Sequence, residues 1–140
     1  MAARILVVND TAEILETFRL LLEEEGYEVV LYSFAPNDLA EVERVKPDLV
    51  IIDLIFGVEK LGWQLLDKMR MNRATAKIPV VVCTAAVNEV RQNEGHLKAM
   101  GVNVVLKPFD IDLFLQAIKE ALAAPPHPAA PPDDGPTIDK

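Results

Sequence analysis

Five short apolar runs alternate along the chain with longer stretches whose apolar residues recur at helical spacing. Ile5–Val8 predicts a first strand ending at Asn9 and Asp10. Asp10-Thr11-Ala12-Glu13 has the form of a capping box opening a helix, and Ile14, Leu15, Phe18, Leu21 and Leu22 then line one face of it. Gly26 is a helix stop. Tyr27–Tyr32 predicts a second strand. A helix entered near Pro36 carries a thin stripe of Leu39, Val42 and Val45 and ends before Pro47. Leu49–Ile52 is continuously apolar and short, as a strand buried on both faces would be, and Asp53 closes it. A loop over 54–60 leads to a third helix with Leu61, Leu65, Leu66 and Met69 inward; Trp63 reads as packing rather than as a ligand platform.

Pro79 can begin but not continue a central strand, so Ile78–Thr84 predicts strand four. Val87–Met100 predicts a fourth helix, the loosest, with only Val90, Leu97 and Met100 apolar at the right spacing and Gly95 inside it. Val102–Leu106 predicts strand five, followed by Lys107-Pro108-Phe109. Asp110 caps a fifth helix whose inner face is Ile111, Phe114, Leu115, Ile118 and Leu122. Residues 1–122 form one domain. Residues 123–140 hold six of the ten prolines and are expected to be a flexible or disordered tail, because they cannot bury enough surface to offset their ordering entropy.

Five strands alternating with five helices predict an α/β protein, a doubly wound three-layer sandwich around a parallel sheet with right-handed crossovers. Periodicity does not choose the strand order; the flavodoxin-like order 2-1-3-4-5 is one of the two common doubly wound arrangements.

Composition narrows the functional classes. Hydrophobic residues make up 51% and charged residues 26%, with a net charge of -8, an ordinary globular balance that argues against direct nucleic-acid binding, which needs clustered Lys and Arg. Cys83 is the only cysteine. It reads as a small buried hydrophobe in a reducing compartment. No apolar stretch reaches the length of a signal h-region or a membrane span. The expected location is cytoplasmic, without membrane insertion. His96 reads as a surface residue, and His127 is given no role.

The chemistry collects at the carboxyl ends of the strands, where open parallel sheets place their ligand sites. Asp53 alone could be a turn residue. Three other strand ends change that reading: Asn9 and Asp10 follow strand one, Thr84 closes strand four and Lys107 follows strand five. In a 2-1-3-4-5 sheet these strands are neighbours. Two adjacent carboxylates need a cation between them, and few hard oxygen ligands with open positions suit Mg²⁺. A lysine and a hydroxyl beside the metal complete what a transferring phosphoryl group requires, and a carboxylate can be its covalent acceptor.

This constellation resembles the receiver domain of bacterial two-component response regulators over residues 4–122, carried by Asn9-Asp10, Asp53, Thr84-Ala85 and Lys107-Pro108-Phe109. The resemblance implies the order 2-1-3-4-5. It implies that Asp53 accepts a phosphoryl group from a histidine kinase's phosphohistidine. Asp10, Asp53 and the backbone carbonyl of Ile55 would hold Mg²⁺ (or Mn²⁺), with Asn9 in the outer sphere. Lys107 would pair with the phosphoryl group, and Thr84 would swing to it and bias the face made by helix four, strand five and helix five. Lys107-Pro108 matches the family's frequent cis peptide. The implied partners are a histidine kinase or phosphotransfer protein and a downstream effector, with a homodimer through that same face compatible with the pattern. No output domain follows the last helix, so the chain reads as a stand-alone signalling phosphoacceptor, not an enzyme beyond its own phosphorylation and dephosphorylation.

The chain departs from the family at Asn9, where an acid is usual, in a 54–60 loop without Met-Pro, and at Val104 or Val105, where an aromatic is usual. Ile55 and Ala86 occupy positions that tune phosphoryl lifetime in the family. These departures favour one alternative, a non-phosphorylated pseudo-receiver acting as an interaction module. A small aspartyl-phosphate hydrolase would show an acid where Ile55 stands, and a flavin-binding protein would show a Ser/Thr/Gly-rich loop in place of Asn9-Asp10-Thr11-Ala12.

Overall fold

The computed structural model describes residues 2–33, 39–53, 61–84, 87–99, 101–106 and 110–123. The described elements run β1 (Arg4–Val8), α1 (Ala12–Glu24), β2 (Glu28–Tyr32), α2 (Leu39–Val45), β3 (Leu49–Ile52), α3 (Leu61–Met71), β4 (Val80–Thr84), α4 (Val87–Gln92), α5 (Glu94–Ala99), β5 (Asn103–Leu106) and α6 (Ile111–Ala123). The strands form one parallel sheet in the order β2-β1-β3-β4-β5. The doubly wound sandwich is therefore present, with strand ends close to those expected. Among the described residues, no helix is long and apolar enough to cross a membrane.

The central strands are apolar on both faces because helices cover both. Leu6, Val8, Val50, Ile52, Val80 and Val82 face Val42 of α2, Leu65, Leu66 and Met69 of α3, Val90 of α4 and Leu97 of α5. The alternate residues Ile5, Val7, Leu49, Ile51, Val81 and Cys83 face Leu15, Phe18 and Leu22 of α1 and Phe114, Ile118 and Ala121 of α6. Phe18 and Phe114 stack with ring centroids 5.0 Å apart and planes 18° from parallel. Cys83 is buried, as expected.

Helix ends follow the backbone's need to satisfy its terminal carbonyls. At the end of α1, Tyr27 N–H donates to Leu22 O and Gly26 N–H to Glu23 O, a Schellman closure requiring the φ of +90° that Gly26 adopts. The same pair of bonds, Val102 to Leu97 and Gly101 to Lys98, closes α5. Asp110 caps α6 through its Oδ1, which accepts the N–H groups of Asp112 and Leu113.

Three expectations are corrected. The fourth helix is two helices: at Asn93 the N–H turns back three residues to Val90 O, and Asn93 O then receives Leu97 N–H to open α5. The break falls at Asn93 rather than at Gly95. The capping box at α1 does not form, since Thr11 is the N-cap and makes no side-chain cap bond. Ile111 is half exposed, not inward, because it occupies the first position of α6 beyond the sheet's edge. The expected helix entry at Pro36, the 54–60 loop, Ala86, Lys107-Pro108-Phe109 and the tail beyond 123 lie outside the described residues.

Two arginines lock the opposite, amino-terminal edge of the sheet. Arg4 donates through Nε to Glu28 (2.9 Å) and through Nη1 to Val45 O (2.6 Å), while its own N–H donates to Asp48 Oδ2 (2.7 Å). Arg70 at the end of α3 donates through Nη1 to the carbonyls of Ala76 (3.0 Å) and Ile78 (2.8 Å), holding the connection into β4. Burial lowers its pKa to about 10, so it stays charged at neutral pH. Arg70→Ala leaves two part-buried carbonyls without their charged donor, and hydrogen bonds to charged groups contribute about 1.5–3 kcal/mol each. Water reaches these part-buried carbonyls and makes up for part of the two bonds, so the expected loss is roughly 2–4 kcal/mol by urea titration; a change under about 1 kcal/mol would show that water replaces the guanidinium in full.

Candidate functional site

The strand register assembles the carboxyl edge. Val8 of β1 lies level with Ile52 of β3, and Asp53 N–H donates to Val8 O at 3.3 Å. Asp53 therefore stands beside Asn9, one strand spacing of about 4.8 Å away. Ile52 is level with Val82 of β4, so Thr84 stands one residue above Asp53 on its other side. Thr84 is level with Leu106 of β5, the residue that precedes Lys107. Asn9, Asp10, Asp53 and Thr84 are thus brought to one edge across three adjacent strands. Lys107 and Ile55 are not among the described residues.

Their environments differ. Thr84 is 1% and Asn9 2% exposed, Asp53 is half-buried and Asp10 is exposed. Asn9 N–H donates to Tyr32 O of β2 at 3.1 Å, extending the ladder one step past β1. The side chain then turns the chain: Asn9 Oδ1 accepts Thr11 N–H at 2.9 Å, an Asx turn that starts α1 at once. The Thr11 hydroxyl donates to Asp10 Oδ1 at 3.3 Å. Asp10 is held between these two bonds. The positioning role of Asn9 was missed from sequence, although Asn-x-Thr between a strand and a helix is an Asx-turn pattern.

The donors at this edge are hard oxygens. Among the described residues no group of three or more His, Cys, Asp or Glu gathers anywhere; the acids that the described strand ends bring to this edge are Asp10 and Asp53. Two carboxylates with open positions fit Mg²⁺, which keeps several of its waters, and do not fit a Zn²⁺ site built on His and Cys.

Comparison with known proteins points the same way. Residues 5–119 match the response regulator receiver domain family. The chain is 36% identical over 118 residues to the alginate biosynthesis transcriptional regulatory protein AlgB of Pseudomonas aeruginosa, covering 84% of this chain and 25% of AlgB. It is 32% identical over 109 residues to the DNA-binding response regulator MtrA of Mycobacterium tuberculosis, covering 78% of this chain and 46% of MtrA. The chain thus spans a quarter to about half the length of these relatives. A solved receiver domain protein from Methanospirillum hungatei superposes with a TM-score of 0.75 at 28% identity, covering 87% of this chain and 94% of that one. In fold alone, the receiver domain of a sensor histidine kinase from Pseudomonas aeruginosa, solved with magnesium in its active-site cleft, matches with a TM-score of 0.73 at 19% identity, covering 89% of this chain and all of the other. With its sheet order, its carboxyl-edge acids and the family match over most of its length, the chain belongs to the response regulator receiver domains of two-component systems.

Proposed function

We propose that Asp53 accepts a phosphoryl group from the phosphohistidine of a histidine kinase or phosphotransfer protein. The observation that carries this reading is the register that sets half-buried Asp53 between Asn9-Asp10 on β1 and Thr84 on β4. An Asp53 carboxylate oxygen forms the new bond to phosphorus as the bond to the donor's imidazole nitrogen breaks, and the imidazole leaves with a proton. Asp10, Asp53 and the Ile55 carbonyl would hold Mg²⁺ (or Mn²⁺), which when bound supplies positive charge to the phosphoryl oxygens. Asn9 positions Asp10 and lies in the outer sphere, Lys107 pairs with the phosphoryl group, and Thr84 supplies a hydroxyl to it. Signalling then runs through the α4–α5/β5/α6 face, to an effector or a second copy, in the cytoplasm. Leu106, Ile111 and Leu113 expose apolar surface there.

The test is intact mass after incubation with Mg²⁺ and acetyl phosphate. One added phosphoryl group supports the reading. No addition to folded protein in excess metal overturns it and leaves the pseudo-receiver, an interaction module on the same fold, which Asn9 favours.

Asn9 also sets how tightly metal is held. An aspartate at position 9 keeps an oxygen for Thr11 N–H but adds a third carboxylate to the edge. Because groups next to metal ligands alter affinity by about 10–100-fold, Asn9→Asp is expected to tighten Mg²⁺ binding by about tenfold in calorimetry while lowering the melting temperature in EDTA. Unchanged affinity would place residue 9 outside the field of the metal.

A further inference from the structure

At the sheet edge opposite the acids, beside the starts of β3 and β4, a groove of about 340 Å³ is lined by Val42, Glu43, Lys46, Pro47, Ala74 and Ile78. Its floor is apolar: Val42 and Pro47 are buried and Ile78 is half-buried. Its surroundings are basic in an acidic protein. Residues 42–48 and 68–78, which supply the lining, hold six bases (Arg44, Lys46, Lys68, Arg70, Arg73 and Lys77) and two acids (Glu43 and Asp48), a net of +4 in a chain whose total is -8. Within the lining itself Glu43 and Lys46 cancel. The excess comes from the flanks, where Arg73 and Lys77 adjoin Ala74 and Ile78 in sequence and are exposed.

The opposite combination lies on α1. Leu20 is 57% exposed, and its neighbours three and four residues away on the helix, Glu16, Thr17, Glu23 and Glu24, are exposed with it. Residues 12–25 hold five acids and one base, a net of -4, and that base, Arg19, is already tied to Glu16 and Glu23. A single exposed leucine is ordinary. This one stands among acids, as the groove stands among bases. The two patches cannot meet within one molecule: Leu15, Phe18 and Leu22 hold α1 on one face of the sheet, whereas Val42 holds α2 and the groove on the other.

We propose that a second copy of this chain docks in the groove head to tail, Leu20 of one molecule against Val42, Pro47 and Ile78 of the next, with the acids of α1 toward Arg73 and Lys77. The occupant follows from complementarity read on both sides of the contact, an apolar anchor in an acidic setting and an apolar groove in a basic one. The contact is separate from the α4–α5/β5/α6 face. It joins unlike surfaces, so a pair keeps one unused patch at each end, and further copies add into chains or rings rather than stopping at a two-fold dimer.

The test is sedimentation velocity of the full chain, without phosphoryl donor, over a wide range of concentration at low salt, where exposed charges are least screened. Wild type is expected to associate progressively, beyond a dimer. Leu20→Asp removes the anchor and keeps the groove; Arg73→Glu with Lys77→Glu reverses the rim and keeps the anchor. All three positions are exposed, so both variants should fold, with melting temperatures near that of wild type as the check. Each variant alone should self-associate at least about tenfold more weakly. Their equimolar mixture should associate again but stop at a dimer, because only one intact anchor and one intact groove are present in each pair. Wild type that stays monomeric, variants that associate as wild type does, or a mixture no better than its parts would each overturn the proposal. Trapping gives a second readout: Leu20→Cys mixed with Ala74→Cys and oxidised with glutathione disulfide should yield the 20–74 disulfide between molecules above its statistical share, native Cys83 being buried. A purely statistical yield counts against the contact.

Discussion

Asp53→Asn is expected to abolish phosphoryl uptake, leaving the intact mass unchanged after any time with acetyl phosphate and Mg²⁺. The substitution keeps the shape of the side chain and the backbone bond from residue 53 to Val8 O, so the sheet should fold unaltered. It removes the negative charge and one oxygen that make the side chain a nucleophile, and an amide is no substitute. Asp10→Asn is the informative partner. The acceptor remains, but one of the two carboxylates at the edge is neutral, and losing one preorganised electrostatic group costs about 10²–10³-fold in rate. Complete loss at position 53 with slowed uptake at position 10 separates acceptor from metal ligand. Equal uptake by wild type and Asp53→Asn would place the acceptor at another residue.

Phe114→Ala is expected to be the most damaging single change to stability. Phe114 is fully buried and stacks on Phe18, so it joins α6 to α1 over the sheet. Truncating a buried phenylalanine costs about 3–5 kcal/mol, a large part of the 5–15 kcal/mol typical of a whole domain. The melting temperature should fall by roughly 10–20 °C. Phe114→Leu keeps most of the apolar volume and loses the stack, so it should cost about 1–1.5 kcal/mol. If alanine and leucine destabilise equally, the ring contact rather than the buried volume sets the energy.

The inner faces of α1, α3 and α6 were legible because a packed stripe repeats every three or four residues and nothing else competes for it. Leu15, Phe18 and Leu22, then Leu65, Leu66 and Met69, then Phe114 and Ile118 are all buried. Strand order was not legible from periodicity, since every central strand is apolar on both faces; it came from the resemblance. Arg70 was invisible because its partners are two backbone carbonyls, which leave no mark on the sequence. The break at Asn93 was hidden for a related reason: a three-residue backbone turn needs no particular side chain. Asn9 was identified as part of the site, but its bond to Thr11 N–H depends on where α1 begins, and that boundary is set by tertiary packing rather than by local propensity.

The sheet order carries a consequence for how the chain is made. β1 pairs with both β2 and β3, so the first 52 residues already contain a three-stranded layer, fastened by Arg4 to Glu28, Val45 and Asp48. Each later strand then adds to the free side of its predecessor, β4 to β3 and β5 to β4. A ribosome releasing this chain from its amino terminus delivers the strands in the order in which they can be used, with no early strand left waiting for a late partner on both sides. Vectorial synthesis and assembly proceed in step: each new strand covers the growing edge of the sheet, while β2 stays as the opposite edge throughout.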